Sequence, residues 1–263
     1  MRAVCLIQRI VLLCVLAFSL TAPAPARGAE PPTVAAASDL KFAIEEVAAR
    51  FERETGQRMR LVFGSSGNFF SQIRQGAPFH LFMSADEDFV FRLADQGLTQ
   101  DRGRLYAYGR IGLMVPRGSL LKADGELRDL AQALRDGRLK KFAIANPEHA
   151  PYGARAKEAL QHAGVWADIE PRLVLGENIS QAAQFATSGA TQGGIIALSL
   201  AKVPQVSALG EFALIPESWH RKLAQRMVLL RGAPPAARAF YDYLATPAAQ
   251  DIMRRHGFAM PGA

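Results

Sequence analysis

Four short stretches set small hydrogen-bonding residues directly before a helix-like run, and together they suit the capture of an anion. They are Ala37-Ser38-Asp39 before Leu40 to Thr55, Gly64-Ser65-Ser66-Gly67 before a run to Ile73, Ala150-Pro151-Tyr152-Gly153 opening a run to Ala163, and Asn178-Ile179-Ser180 opening a run to Ser188. A helix N-terminus exposes about four unpaired N–H groups and roughly half a unit of positive charge. Behind strands of an α/β sheet such starts gather at the carboxyl ends, where ligands bind. Several converging on one cleft would hold an oxyanion. Each alone is equally a plain helix cap, since Ser38, Ser66 and Asn178 are ordinary N-cap residues. The set says more than its members.

The elements needed to position them are legible. Strand-like and helix-like runs alternate to the end of the chain, the pattern of an α/β protein. Strands are expected at Thr33 to Ala37, Arg60 to Phe63, Leu81 to Ser84, Ile111 to Val115, Phe142 to Ala145, Arg172 to Leu175, Gly194 to Leu198, Phe212 to Ile215 and Arg226 to Leu230. Further helices are expected at Asp88 to Gln96, Glu126 to Arg135, Ala236 to Leu244 and Ala248 to His256. Two such series without a flexible linker imply two lobes joined by crossing strands.

Enzyme constellations are weak. His80, His149, His162, His220 and His256 lack metal-ligand spacing, and neither His-Glu-x-x-His nor Gly-x-Ser-x-Gly occurs. His149 reads as a solvated loop histidine. Gly64 to Gly67 lacks the dinucleotide and P-loop spacings, and no Gly-Lys-Ser/Thr follows it. Ser66 as a nucleophile would need a base that the sequence does not identify.

The chain has 263 residues, 49% hydrophobic and 21% charged, which excludes a disordered or low-complexity protein. Arg2, Arg9, the apolar run Ile10 to Leu20 and the small residues up to Ala29 form a secretory signal pattern, too short to span a membrane. Residues 1–29 are therefore expected to be removed, after Ala26 or Ala29, giving a periplasmic protein without membrane insertion. After Ala29 there remain 28 Lys and Arg against 24 Asp and Glu, a net charge of +4. That is too mild and dispersed for a nucleic-acid partner. Cys5 and Cys14 both lie in the signal, so the exported part is expected to have no disulfide or cysteine metal site.

At these residues the chain resembles the periplasmic molybdate-binding proteins of ABC transporters. The pieces are Ala35 to Leu40, Gly64 to Gly67, Gly76 to Asp86, Ile144 to Gly153, Glu177-Asn178-Ile179 and Gly194 to Leu198. They run in order from about Thr33 to Gly257-Phe258. The resemblance implies a two-lobed type II periplasmic binding protein, each lobe a mixed sheet flanked by helices, with the ligand between them. Lobe one would comprise 30–107 and 225–263, and lobe two 108–224. It implies a non-enzymatic, monomeric receptor without a cofactor, which passes molybdate, and tungstate with it, to an inner-membrane ABC permease.

The family's ligands are serine hydroxyls, backbone amides and a tyrosine hydroxyl. That implicates Ser38, Asp39 through its N–H, Ser66, Tyr152 and Ile179 through its N–H. Ser38, Ser66 and Tyr152 would touch oxygens of the anion, without ligating the metal directly. One branch takes its tyrosine from a strand end where Ala197 stands here, so the hydroxyl is expected from Tyr152, solvated in the open form. Asp39 is expected to cap its helix with its carboxylate turned from the anion, and His80 to be structural.

Other readings remain. Phosphate or another oxyanion would suit the same fold, with Asp39 accepting a phosphate hydrogen. A ferric site lacks the adjacent tyrosine pair that hard-cation binders use. A secreted hydrolase using Ser66 and an adhesion or signalling module are the readings from other classes.

Overall fold

Strand β1 (Thr33–Ala37) is buried along all five residues, because it lies between two parallel neighbours and under helices. The computed structural model describes residues 30–262, so the expected signal, with Cys5 and Cys14, lies outside the described residues. Parallel pairing joins β1 to β2 (Arg60–Gly64) and β3 (Leu81–Ser84). Two antiparallel strands, β10 (Leu223–Leu229) and β4 (Arg104–Gly109), complete a mixed sheet of order β2-β1-β3-β10-β4.

The second sheet repeats the plan. Its order is β7-β6-β8-β5-β9, from β5 (Ile111–Pro116), β6 (Phe142–Ala145), β7 (Leu173–Gly176), β8 (Gly194–Ala197) and β9 (Gly210–Leu214). Strand β6 runs parallel to β7 and β8, while β5 is antiparallel to β8 and β9. The chain leaves the first sheet at Gly109 and returns to it at Leu223. Both expected lobe boundaries thus fall inside strands of the first sheet, at β4 and β10.

The helices of eight residues or more are α1 (Lys41–Thr55), α2 (Ser66–Arg74), α3 (Glu87–Asp95), α4 (Arg128–Arg135), α5 (Pro151–His162), α6 (Ile179–Thr187), α7 (Pro235–Tyr243) and α8 (Pro247–Arg255). Helix α1 shows why they form and stop. Ala43, Ile44, Val47 and Phe51 make its buried stripe, and Gly56 ends it in the left-handed region at φ 71°. Among the described residues no helix is long and apolar enough to cross a membrane.

Candidate functional site

Helices α2, α5 and α6 and the turn Ser38–Leu40 all begin at carboxyl ends of parallel strands, and the two lobes present those ends to each other. Between them lies a small cavity of about 10 Å³ lined by Ser38, Asp39, Ser65, Ser66, Tyr152 and Ile179, with Gly64, Ala85 and Pro151. All five residues singled out from the sequence meet there. A wider hollow by Tyr108, His220, Lys222 and Arg254 holds none of them.

The first lobe contributes two serines in different states. Ser65, not Ser66, caps α2, accepting the Asn68 N–H at 3.3 Å and meeting His149 Nδ1 at 3.0 Å. Ser66 is therefore the first helical residue, fully buried, and its Oγ accepts the Ala85 N–H at 3.0 Å. Its own hydrogen is not committed among the described residues, which leaves a fixed O–H donor at the cavity wall. Ser38 does not cap its helix either. Its Oγ donates to Asn178 Oδ1 at 3.1 Å, and its carbonyl accepts the Ser180 hydroxyl at 2.9 Å, so it ties the lobes together.

Across the cavity Asn178 is a true cap, its Oδ1 accepting the Ser180 and Gln181 amides. Ile179 opens α6, so its amide is one of the helix's unpaired N–H groups. Gly67 brings the lobes together elsewhere. Its N–H donates to the His149 carbonyl at 2.9 Å, and a Cβ there would lie 2.6 Å from that oxygen. His149 is thus wedged between the lobes, against Ser65 and, at 3.6 Å, Glu177, which corrects the expectation of a solvated loop residue. His80 accepts the Thr33 N–H at 2.9 Å and holds the start of β1.

Asp39 and Tyr152 differ most from expectation. Asp39 caps nothing, because neither the Ser38–Leu40 turn nor α1 takes a side-chain cap. Only 1% exposed, its Oδ2 accepts the Gln225 amide at 2.7 Å and the Tyr152 hydroxyl at 2.9 Å. Tyr106 donates to Gln225 Oε1 at 2.8 Å, which turns the Gln225 amide nitrogen toward Asp39 and Tyr152. Tyr152 is therefore buried and engaged with a carboxylate. Its position beside Gly109 requires a glycine, since a Cβ there would sit 2.2 Å from the hydroxyl.

Burial pushes the Asp39 carboxyl up to about 6, against the lowering pull of Gln225, Tyr152 and its own backbone N–H. Burial, with the Asp39 charge beside them, pushes the Tyr106 and Tyr152 phenols well above their ordinary value. No His, Cys, Asp and Glu group that could hold a metal ion occurs among the described residues. The cavity wall is therefore made of hydroxyls, backbone amides and one buried carboxyl. Such a wall can surround an anion with hydrogen-bond donors.

A family model for bacterial extracellular solute-binding proteins matches residues 32–259. The chain belongs to that family. Within it, a molybdate-binding protein ModA from Rhodobacter capsulatus is 37% identical over 228 residues, covering 85% of this chain and 86% of the relative. A protein of the same name from Azotobacter vinelandii is 32% identical over 230 residues, covering 86% and 89%. The solved periplasmic molybdate-binding protein of Azotobacter vinelandii matches with a TM-score of 0.80 at 27% identity, over 88% of this chain and 99% of that one. A sulfate-binding protein, SubI of Mycobacterium tuberculosis H37Rv, shares the fold at a TM-score of 0.70 and 16% identity, over 88% and 87%. The two mixed sheets flanked by helices are the two-lobed architecture that the resemblance implied.

Three buried polar residues that brace the surroundings of the cavity escaped the sequence reading. Gln225 lies on β10 with Leu223 and Met227, all buried on one face, so a lone polar residue on an apolar face was the available signal. Tyr106 lies on β4, a strand not anticipated at all. Arg155 interrupts the inward stripe of α5 between Tyr152 and Ala159, and is 2% exposed.

Proposed function

We propose that the protein is an extracytoplasmic receptor that captures molybdate, and tungstate with it, for an inner-membrane ABC permease. The observation that carries this reading is the small cavity between the lobes, walled by hydroxyls, helix N-termini and the one buried Asp39 carboxyl, with no lysine, arginine or histidine lining it among the described residues. The ModA relatives, similar over most of their length, favour molybdate over other anions of that shape. The Ser66 hydroxyl, the Ser38 hydroxyl once its hydrogen turns from Asn178 Oδ1, the Asp39 and Ile179 amides, and the Tyr152 hydroxyl are the proposed contacts to anion oxygens. The metal itself is cargo inside its oxygen shell and needs no protein ligand, and no cofactor enters the reading.

A fully ionised tetrahedral oxyanion offers acceptors only, so its partner must offer donors only. About six donor bonds to a charged acceptor, at roughly 1.5–3 kcal/mol each, amount to about 9–18 kcal/mol before the cost of closure. A nanomolar complex needs about 12 kcal/mol net. Neutral donors therefore suffice. Sulfate has the same charge and shape but shorter bonds, and would leave buried donors unpaired at about 1–3 kcal/mol each.

Calorimetry with molybdate, tungstate, sulfate and phosphate tests this. Molybdate and tungstate are expected to bind at least about a hundredfold more tightly than sulfate, the equivalent of two unpaired donors. Sulfate binding equal to that of molybdate would remove the size argument. Preference for phosphate would point instead to Asp39 accepting a phosphate hydrogen.

A further inference from the structure

The Tyr152 hydroxyl owns a single hydrogen, and it is given to Asp39 Oδ2. Gln225 Nε2 donates to that same carboxylate oxygen and to the Tyr152 oxygen, so the tyrosine has no second hydrogen to offer. The other carboxylate oxygen, Asp39 Oδ1, is buried without any hydrogen-bond partner, in a residue that lines the cavity. With Asp39 ionised, the pair therefore presents lone pairs to an anion and no hydrogen. One added proton reverses this. Held on Oδ1, it makes the carboxyl itself a donor; held on Oδ2 and shared with Tyr152, it frees the phenolic hydrogen.

We propose that Asp39 and Tyr152 form a proton-loaded pair: the oxyanion enters together with one proton from solvent, and that proton turns the pair into a donor. The inference rests on the oxyanion reading above and adds the chemical state in which the site accepts its ligand. No bond other than O–H is made or broken. The buffer loses the proton, the Asp39 carboxylate gains it, and the complex carries the anion's charge without a third negative charge beside it.

The surroundings leave no other group to do this. Facing Asp39 are Tyr106 from β4, Tyr152 from α5 and Gln225 from β10, while Ser199, in the short helix after β8, donates to the Asp39 carbonyl. The pull lowering its titration comes from Gln225, Tyr152 and its own N–H, and no cation pairs with it among the described residues. Burial already holds the carboxyl at about 6, within reach of neutral solution. A dianion alongside would raise it further, because a like charge disfavours ionisation.

The test is calorimetric titration of the full exported chain with molybdate in buffers of different ionisation enthalpy, which counts protons taken up, repeated across pH. At about pH 8 the wild type is expected to take up about one proton per anion, and its affinity to fall about tenfold per pH unit above about pH 6. Asp39→Asn, a permanent amide donor of the same shape, is expected to take up none and to bind equally from about pH 6 to about pH 8. Zero proton uptake by the wild type overturns the proposal, whether or not the variant folds. A slope that survives in Asp39→Asn overturns it too. Absence of oxyanion binding at every pH would instead overturn the receptor reading itself, and the proposal with it.

Discussion

Arg155→Met should destabilise the protein by about 3–5 kcal/mol, the usual consequence of removing one partner of a buried ion pair. Arg155 is 2% exposed and reaches from α5 across the cleft, donating to Asp86 Oδ2 at 2.6 Å and to Glu158 Oε1 at 2.7 Å. Arg221 reaches Glu158 as well, so that carboxylate keeps a partner when Arg155 is lost. Asp86 does not. Burial already pushes its carboxyl above the ordinary range, with the Asp88 N–H and then Arg155 pulling the other way. At roughly 2–4 °C per kcal/mol for a chain of this size, the melting temperature should drop by about 10 °C. Asp86→Asn in the same chain should recover part of the loss, because it removes the orphaned charge. A single-variant loss below about 1 kcal/mol would mean that water reaches Asp86 and that the pair behaves like a surface one.

The second large effect is a dependence of stability on pH that Asp39 sets. Its carboxyl titrates near 3.8 when unfolded and at about 6 when folded. Between those values the native state binds more protons, so stability falls as pH rises through that window. The penalty is absent below about pH 4, complete above about pH 6, and amounts to about 3 kcal/mol. Asp39→Asn should therefore stabilise the ligand-free protein by up to about 3 kcal/mol at about pH 7.5 and hardly at about pH 4. Tyr152→Phe should act oppositely. It removes one of two donors to a buried carboxylate and should lower ligand-free stability by about 1–3 kcal/mol near neutral pH. Urea unfolding at both pH values measures all of this. Equal stabilities for Asp39→Asn and wild type at neutral pH would place the carboxylate in contact with water.

Much of the fold was legible because it rests on local patterns. Buried runs such as Phe142 to Ala145 and the stripe of α1 announce their elements without tertiary knowledge. The junctions were legible for the same reason, since a small polar residue before a periodic run has few other meanings. Long-range pairing was hidden. Gln225 meets Asp39 across 186 residues, and only the return of β10 beside β3 explains why a glutamine should face a core. Strand β4 ends at Gly109, where close approach of Tyr152 demands a glycine, and that glycine concealed the strand. The role of Asp39 was misjudged for a physical reason. Its position before α1 fits a cap, but its carboxylate turns into the interior because Gln225 and Tyr152 offer donors there.

The central claim is that neutral donors between the lobes hold a tetrahedral oxyanion. Crystals grown with molybdate, measured at a wavelength where molybdenum scatters anomalously, test it most directly. One strong peak is expected in the cavity, with the oxygens around it bonded to the Ser66 hydroxyl, the Ile179 amide and the Ser38 hydroxyl turned from Asn178, and no protein atom bonded to the metal. A peak elsewhere on the molecule, or a side chain ligating molybdenum directly, would contradict the account.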